Sequence, residues 1–411
     1  MQTKPMFKKL IVLILPAIVS CAAIGPIVVP LEEISSPEKQ TYGIGTQIYF
    51  WNDSSRSEIY TVEPNDTRQL LVQVWYPAKI GKNNQRAPHI IFPKETIRGV
   101  AEIAGLPAGL AKHGAKLMSG SYFNAEPILD KFPLIVFSHG DGGILTQNMS
   151  QIEALVAEGY VVIACNHTFN AVISFDKNGL PLPYKRNVSW DQQASYQKKY
   201  YTNRLIDYRL KDAQYLVSQL KKTTFDSGAP NPLNRIIDFD KIGIFGHSMG
   251  GGTSYLGLLQ DENFDAALAL DGWFFGLSEE QAKTNTNKPF MHIAQEQFKD
   301  ISVFGDINDS ESGIENDKIY NLILKSNHES YVIYLKESLH YTFTDFKLIY
   351  DDKSSLGVPI NTLGAVDKKI VDELVDKAVL EFFNYSLKDQ PVNFESYKSF
   401  EKNAYFEFYS K

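Results

Sequence analysis

The chain has 411 residues, of which 44% are hydrophobic, 12% aromatic and 22% charged. This composition supports a large buried core and excludes an intrinsically disordered chain, which would be poor in aromatic and aliphatic residues. The formal net charge is −7, from 41 basic and 48 acidic residues, and no strong basic cluster interrupts it, so the sequence indicates no nucleic-acid partner.

The N-terminus has the pattern of an export signal over residues 1–20. Three lysines within residues 4–9 precede an apolar run at 10–20 that is too short to span a bilayer. The run ends at Cys21 and resembles a bacterial lipoprotein signal, in which the cysteine is lipidated after cleavage. The pattern predicts an exported lipoprotein that Cys21 anchors to a membrane of the cell envelope. The alternative is an ordinary cleaved signal with an incidental cysteine.

A proline- and serine-containing tether is predicted at 21–43, followed by one domain at 44–411. Residues 70–76 form a strand pattern that a proline ends. Residues 95–120 carry apolar residues at broadly helical spacing, with glycine and proline breaks. They predict one or two short amphipathic helices inserted in the domain.

Beyond residue 130, strand patterns alternate with helical patterns. The predicted strands are 132–137, 160–165, 241–245, 264–270, 289–294 and 330–335, and the predicted helices are 150–158, 204–221, 249–260 and 365–387. This alternation predicts a mainly parallel sheet with helices on both faces. In such a sheet the ligand site lies beyond the carboxyl ends of the strands. Cys165, at the end of one apolar run, is predicted to be a small buried hydrophobe. A catalytic role is not expected for it, because burial in apolar surroundings raises a thiol pKa.

The strongest chemical signal is Gly-His-Ser-Met-Gly at 246–250, between a predicted strand and a predicted helix. G-x-S-x-G in this setting is the nucleophile elbow of the α/β-hydrolase fold. The glycines are needed because a sharp strand-to-helix turn leaves no room for larger neighbours. Ser248 is therefore the predicted nucleophile, and His247 is predicted to pack beside the turn.

In this fold the acid and the histidine follow the serine in the chain. His340 is the predicted base, because it lies in the loop after the last predicted strand. His292, inside a strand pattern, is predicted to be a core histidine. Asp271 ends the strand at 264–270, a position suited to orienting a histidine. The rival acids at 306 and 309 lie in a polar run that predicts a surface loop.

Two backbone amides are predicted to stabilise the negative charge that develops on the substrate oxygen. One belongs to Met249, directly after the nucleophile, and the other to Asp141, in a glycine-rich loop after the strand at 132–137. The alternative for this loop is a plain glycine-rich turn.

Five stretches, in this order, resemble the plasma-type platelet-activating factor acetylhydrolases and their bacterial relatives. They are Val-Trp-Tyr-Pro at 74–77, Phe-Ser-His-Gly at 137–140, Gly-His-Ser-Met-Gly-Gly at 246–251, Leu-Asp-Gly-Trp at 270–273 and Leu-His-Tyr-Thr-Phe-Thr-Asp-Phe at 339–346. The resemblance implies a Ser248, Asp271 and His340 triad, with the amides of Asp141 and Met249 as the oxyanion hole. The family has an apolar residue and a phenylalanine at these last two positions, which leaves the shape of the acyl pocket open.

The resemblance implies a serine esterase that needs no metal or organic cofactor and acts on short or oxidised sn-2 acyl chains of phospholipids. It also implies a lipid-docking amphipathic helix at 104–118, for which a core-packing helix is the alternative. A general carboxylesterase or a cutinase-like polyester hydrolase is a second reading, because the 246–252 stretch also resembles the elbow of those enzymes. The third is a non-catalytic surface-binding lipoprotein.

Overall fold

A computed structural model describes residues 41–103, 114–185, 195–299, 310–326, 329–346 and 364–410. The predicted signal peptide, Cys21 and nearly all of the tether lie outside these residues, as do the rival acids at 306 and 309. Within the described ranges, no helix combines the length and the apolar character needed to cross a bilayer.

The secondary structure alternates along most of the chain. The strands are β1 (Gly43–Ser57), β2 (Thr67–Lys79), β3 (Arg86–Pro88), β4 (Met118–Phe123), β5 (Glu126–Pro127), β6 (Phe132–Ser138), β7 (Val161–Asn166), β8 (Ile173–Phe175), β9 (Pro181–Pro183), β10 (Ile237–His247), β11 (Ala266–Leu270), β12 (Phe290–Gln295), β13 (Glu329–Leu335) and β14 (Ala404–Ser410). The helices are α1 (Pro93–Ile103), α2 (Met149–Ala157), α3 (Ser195–Lys221), α4 (Met249–Gln260), α5 (Glu279–Ala282), α6 (Ser310–Ser326) and α7 (Lys368–Lys388).

One 12-stranded sheet dominates the described residues, in the order β14-β13-β12-β11-β10-β6-β7-β2-β1-β4-β3, with β5 beside β2. The six strands from β13 to β7 in this order are parallel to one another, and β14 and β2 flank them antiparallel. Strands β8 and β9 form a separate hairpin. The parallel centre confirms the predicted fold class.

Helices cover both faces of the sheet. The central strands β6, β7, β11 and β12 are buried at every position, as parallel strands covered on both faces must be. Apolar residues of α3, α4 and α6 pack on one face, and those of α2 and α7 pack on the other. The carboxyl ends of β10, β11, β12 and β13 therefore meet at one edge of a rigid core, where the site lies.

The structure departs from the sequence prediction at 95–120. Helix α1 and a 3-10 turn at Gly114–Lys116 account for part of this segment. From Met118 the chain is the strand β4, which pairs with β1 and β3 and buries Ser119 and Ser121. Serines on the buried face concealed the strand, because they break the apolar alternation that would have indicated it. Residues 104–113, most of the predicted lipid-docking segment, lie outside the described residues.

Two further elements differ from the prediction. Helix α3 begins at Ser195, nine residues before the predicted start at 204. The C-terminal segment, predicted to end in a closing helix, continues into the edge strand β14, which pairs antiparallel with β13. Two phenylalanines alternate in this strand with a glutamate and two tyrosines, and only the position of β13 reveals its partner.

Candidate active site

Ser248 lies at the junction of β10 and α4, in the strand, sharp turn and helix that the sequence predicts. Its backbone has φ 56° and ψ −121°, a conformation that a serine adopts only when its surroundings enforce it. A Cβ atom on Gly250 would stand 2.0 Å from the Ser138 carbonyl oxygen, so the helix can begin this close to β6 only with glycine there. The turn exposes the serine above the N-terminus of α4, whose dipole favours negative charge.

Asp271 follows β11 and accepts a hydrogen bond from Nδ1 of His340 at 2.5 Å. Two more donors hold this carboxylate, the amide N–H and the side-chain Nε2 of Gln295, each at 3.0 Å. The next amide, of Gly272, donates to Nε2 of buried His292 at 2.9 Å, and burial lowers the pKa of His292 to about 3, so it stays neutral. His292 is thus the core histidine that was predicted.

The tautomer of His340 follows from this contact. Because Nδ1 donates to Asp271, Nε2 is the ring nitrogen left to accept a proton. The Asp271 side chain is 1% exposed, whereas the His340 side chain is 37% exposed. A fixed, buried acid thus orients a histidine that substrate and water can reach. Gln295 was missed by the sequence analysis, because only the pairing of β11 with β12 brings it beside Asp271.

Two backbone hydrogen bonds join Ser248 to the residues on either side of Asp271. The Ser248 amide donates to the carbonyl of Leu270 at 3.0 Å, and the Trp273 amide donates to the carbonyl of Ser248 at 2.8 Å. Among the hydrogen bonds of the described residues, none joins the Ser248 hydroxyl to His340. Such catalytic contacts often tighten only when substrate is bound.

His247 links the elbow to the loop that carries His340. It is buried, its Nδ1 accepts from Nε2 of Gln147 at 2.8 Å, and its Nε2 donates to the carbonyl of His340 at 2.9 Å. The two imidazole centroids are 4.5 Å apart. Burial lowers the pKa of His247 well below its usual value, so this ring is a neutral spacer. It packs beside the turn, as predicted.

The glycine-rich loop after β6, residues 139–143, is hereafter the oxyanion loop, and it lies against the elbow. A Cβ atom on Gly140 would stand 3.3 Å from Cβ of Ser248 and 3.1 Å from Nδ1 of His247. Asp141 follows Gly140, and its carboxylate accepts a hydrogen bond from the Tyr184 hydroxyl at 2.9 Å. Met249 is the first residue of α4. The structure thus brings both predicted amide donors close to Ser248.

A second Ser–His–Asp array lies behind the oxyanion loop, and the sequence analysis missed it. The Ser138 hydroxyl lies 2.9 Å from Nε2 of His167, whose Nδ1 lies 2.9 Å from Oδ2 of Asp212. All three residues are buried, with at most 1% of their surface exposed. Burial lowers the pKa of His167 to about 4. No motif marks this array, because Asp212 comes from the middle of α3.

Cys165, His167 and Asp212 could in principle hold a metal ion, since one ligand atom of each lies within 4.8 Å of the others. The Asp212 carboxylate is already occupied, however, by Arg68 at 2.7 and 3.1 Å and by Arg56 at 2.8 Å. Burial also raises the pKa of the Cys165 thiol well above its usual value, so it stays protonated. A cation would have to displace a buried guanidinium and deprotonate this thiol, which disfavours a metal here.

The sequence is similar to those of known acetylhydrolases. A family model described as platelet-activating factor acetylhydrolase, isoform II, matches residues 58–403. The platelet-activating factor acetylhydrolase of Cavia porcellus is 24% identical over 331 residues, which cover 76% of this chain and 71% of the relative. That of Canis lupus familiaris is 26% identical over 342 residues, which cover 77% and 72%.

A solved structure, the ferulic acid esterase from Streptomyces cinnamoneus, superposes with a TM-score of 0.69 at 23% identity. The match covers 88% of this chain and 95% of that chain. At this identity the likeness concerns the fold alone. Together with the parallel sheet and the strand-to-helix elbow, it confirms the predicted α/β-hydrolase fold.

Proposed function

The chain belongs to the platelet-activating factor acetylhydrolase family and is a serine ester hydrolase, and from this premise we propose that it releases short or oxidised sn-2 acyl chains from phospholipids. The observation that carries the chemistry is the Asp271–His340 hydrogen bond beside the strained Ser248 elbow. The names of the curated relatives support the choice of substrate class.

Ser248 Oγ attacks the carbonyl carbon of the ester while Nε2 of His340 takes the hydroxyl proton. Asp271 holds the imidazole in the required tautomer and stabilises the imidazolium that forms. The carbonyl oxygen becomes an oxyanion, which accepts hydrogen bonds from the amides of Asp141 and Met249.

Collapse of this intermediate breaks the ester C–O bond, and His340 returns the proton to the leaving lysophospholipid alcohol. Water then attacks the acyl-enzyme, with the same imidazole as base. The bond between the acyl carbon and Ser248 Oγ breaks, His340 returns the proton to Oγ, and the free carboxylic acid leaves. Each half-reaction uses one proton on one histidine, so the site needs no further acid or base.

The membrane location of the reaction is a separate part of the proposal and rests on the sequence around Cys21. Lipidation of this cysteine would hold the domain beside its lipid substrate through the predicted tether, which precedes β1. Cells that express the full chain and its Cys21→Ala variant, fed a radiolabelled fatty acid, test this directly. Label on the wild type alone, with membrane association lost in the variant, is the expected result. Equal labelling of both would contradict the anchor.

The substrate proposal is tested with purified protein that lacks residues 1–21. Phosphatidylcholines with sn-2 acetyl, oxidised or palmitoyl chains are compared with an aryl acetate and a polyester film. We expect kcat/KM for the acetyl and oxidised chains to exceed that for palmitoyl by about 10²-fold, since each unaccommodated methylene weakens binding. Turnover of aryl esters or polyester with inert phospholipids would replace this proposal with the carboxylesterase or cutinase-like reading. The Ser248→Ala variant is the matched control.

A further inference from the structure

A buried arginine, Arg209 on α3, contacts the backbone of the oxyanion loop from the protein interior. It is fully buried, and its Nη1 donates to the carbonyl of His139 at 2.7 Å. Its Nη2 lies 3.5 Å from the carbonyl oxygen of Gly140 and 3.6 Å from Oδ1 of Asp141. Burying a guanidinium costs free energy unless its charge is paired and its N–H groups are hydrogen-bonded, so the partners of Arg209 indicate its role.

The Gly140 carbonyl is held by two further donors. Nε2 of His139 accepts from the His167 amide at 3.0 Å, so its proton resides on Nδ1, which donates to the Gly140 carbonyl at 2.6 Å. The Gly143 amide donates to the same oxygen at 3.0 Å. Arg209 therefore completes a cluster of three donors around one carbonyl.

This cluster fixes the direction of the neighbouring amide. The Gly140 carbonyl and the Asp141 N–H belong to one planar peptide, and no cis peptide bond occurs in the described residues. In a trans peptide these two groups point in opposite directions. Because the donors hold the Gly140 oxygen toward the interior, the Asp141 N–H points away from the interior.

Arg209 also compensates the negative charge of the Asp141 carboxylate. A carboxylate in the oxyanion loop opposes the negative charge that develops on the substrate oxygen, and its side chain is only 21% exposed. The guanidinium at 3.6 Å and the Tyr184 hydroxyl at 2.9 Å both offset this charge. The same arginine thus orients the amide and compensates the acid of a single residue.

We infer that Arg209 is a positioning residue for the oxyanion hole: it orients the Asp141 amide through the His139 and Gly140 carbonyls and neutralises the Asp141 carboxylate. The inference rests on ester hydrolysis at Ser248 but not on the identity of the ester. It is therefore tested with an aryl acetate, so that a failure of the phospholipid proposal leaves the test intact.

In Arg209→Met the amide loses its orientation and the carboxylate its counter-ion. We expect kcat for the aryl acetate to fall about 10²-fold or more, as on loss of one oxyanion donor, while KM changes less than about threefold. Adding Asp141→Asn to Arg209→Met is expected to recover about tenfold of the lost kcat, because the uncompensated charge is then gone. A purely structural role would give no such recovery.

Arg86→Met is the matched control, since Arg86 donates to a backbone carbonyl elsewhere, that of Ser119 at 2.6 Å. Its kcat is expected to stay within about threefold of the wild type. If Arg209→Met does not fold, Arg209→Lys replaces it, with an expected fall of about tenfold because an ammonium cannot span two carbonyls. A folded Arg209 variant with wild-type kcat, or an Arg86→Met variant that falls equally, would overturn the inference.

Discussion

The described residues contain two Ser–His–Asp arrays that share a histidine–aspartate hydrogen bond and differ in their surroundings. In one, Nδ1 of His340 lies 2.5 Å from Asp271, and in the other, Nδ1 of His167 lies 2.9 Å from Asp212. The His340 side chain is 37% exposed, whereas the His167 side chain is 2% exposed. Three residue types at hydrogen-bond distance therefore do not define an active site, because a substrate must also reach the nucleophile.

The two acids differ in charge compensation. Neutral donors of Gln295 hold Asp271, so its negative charge remains available to stabilise an imidazolium. Two guanidinium groups, of Arg68 and Arg56, already compensate Asp212. The Asp212 carboxylate is therefore less able to stabilise an imidazolium. Burial also lowers the pKa of His167 to about 4, which makes this ring a poor base at neutral pH.

The serines differ in backbone. Ser248 stands in a strained turn at the start of a helix, with φ 56°, while Ser138 ends the regular strand β6. The strain projects one hydroxyl out of the sheet, and the regular strand leaves the other inside it. The contrast suggests that the buried array is a scaffold for the oxyanion loop.

Replacing each serine in turn tests the difference between the two arrays most strongly. Ser248→Ala is expected to lower kcat about 10⁶-fold, because no other hydroxyl replaces the nucleophile. Ser138→Ala is expected to retain kcat within about tenfold, since only a scaffold contact is lost. A fluorophosphonate probe, mapped by mass spectrometry, reads out the modified residue. Label on Ser138 in the Ser248→Ala variant would reverse the assignment.

Removing the acids separates catalysis from stability. Asp271→Asn is expected to lower kcat about 10⁴-fold, because a neutral amide neither stabilises the imidazolium nor enforces the tautomer. Thermal unfolding of the same protein should show a folded state at the assay temperature. A kcat within tenfold of the wild type would mean that another acid orients His340.

Asp212→Asn is expected to destabilise the folded state, because it leaves the buried Arg68 guanidinium without its closest carboxylate. The free energy of unfolding in urea should fall by about 3–5 kcal/mol, as when one partner of a buried ion pair is removed. Asp207→Asn on the same helix, where the pair with Lys211 is exposed, should cost less than about 1 kcal/mol. A stable Asp212→Asn protein with a 10⁴-fold lower kcat would make the buried array catalytic.

The smallest effect concerns pH. The pKa of His167 is about 4 in the folded chain against an ordinary 6.5, so below pH 6.5 the unfolded chain binds this proton first. Its contribution to stability is complete above pH 6.5 and is lost as the pH falls to about 4. In His167→Gln, the slope of the unfolding free energy against pH should therefore be smaller in this window, by up to about 1.4 kcal/mol per pH unit. An unchanged slope would show that His167 already titrates normally.

Much of the site could be predicted because its signals are local. The elbow at 246–250 is marked by glycines that a sharp turn requires, and Asp271 and His340 each follow an apolar strand. The α/β-hydrolase fold follows from the alternation of short apolar runs with helical patterns, which needs only the two periodicities of secondary structure.

Local sequence patterns thus predict the class of chemistry, the order of the catalytic candidates and the parallel core, because steric and periodic constraints act over a few neighbouring residues. Other contacts arise from tertiary packing alone. Gln295 donates to Asp271, β14 pairs with β13 as an edge strand, and Arg209 donates to the carbonyl of His139, 70 residues before it. Such contacts depend on which strands lie side by side and on what a helix buries against them. The burial that separates a reactive Ser–His–Asp array from an inert one is a property of that packing, which no short stretch of sequence contains.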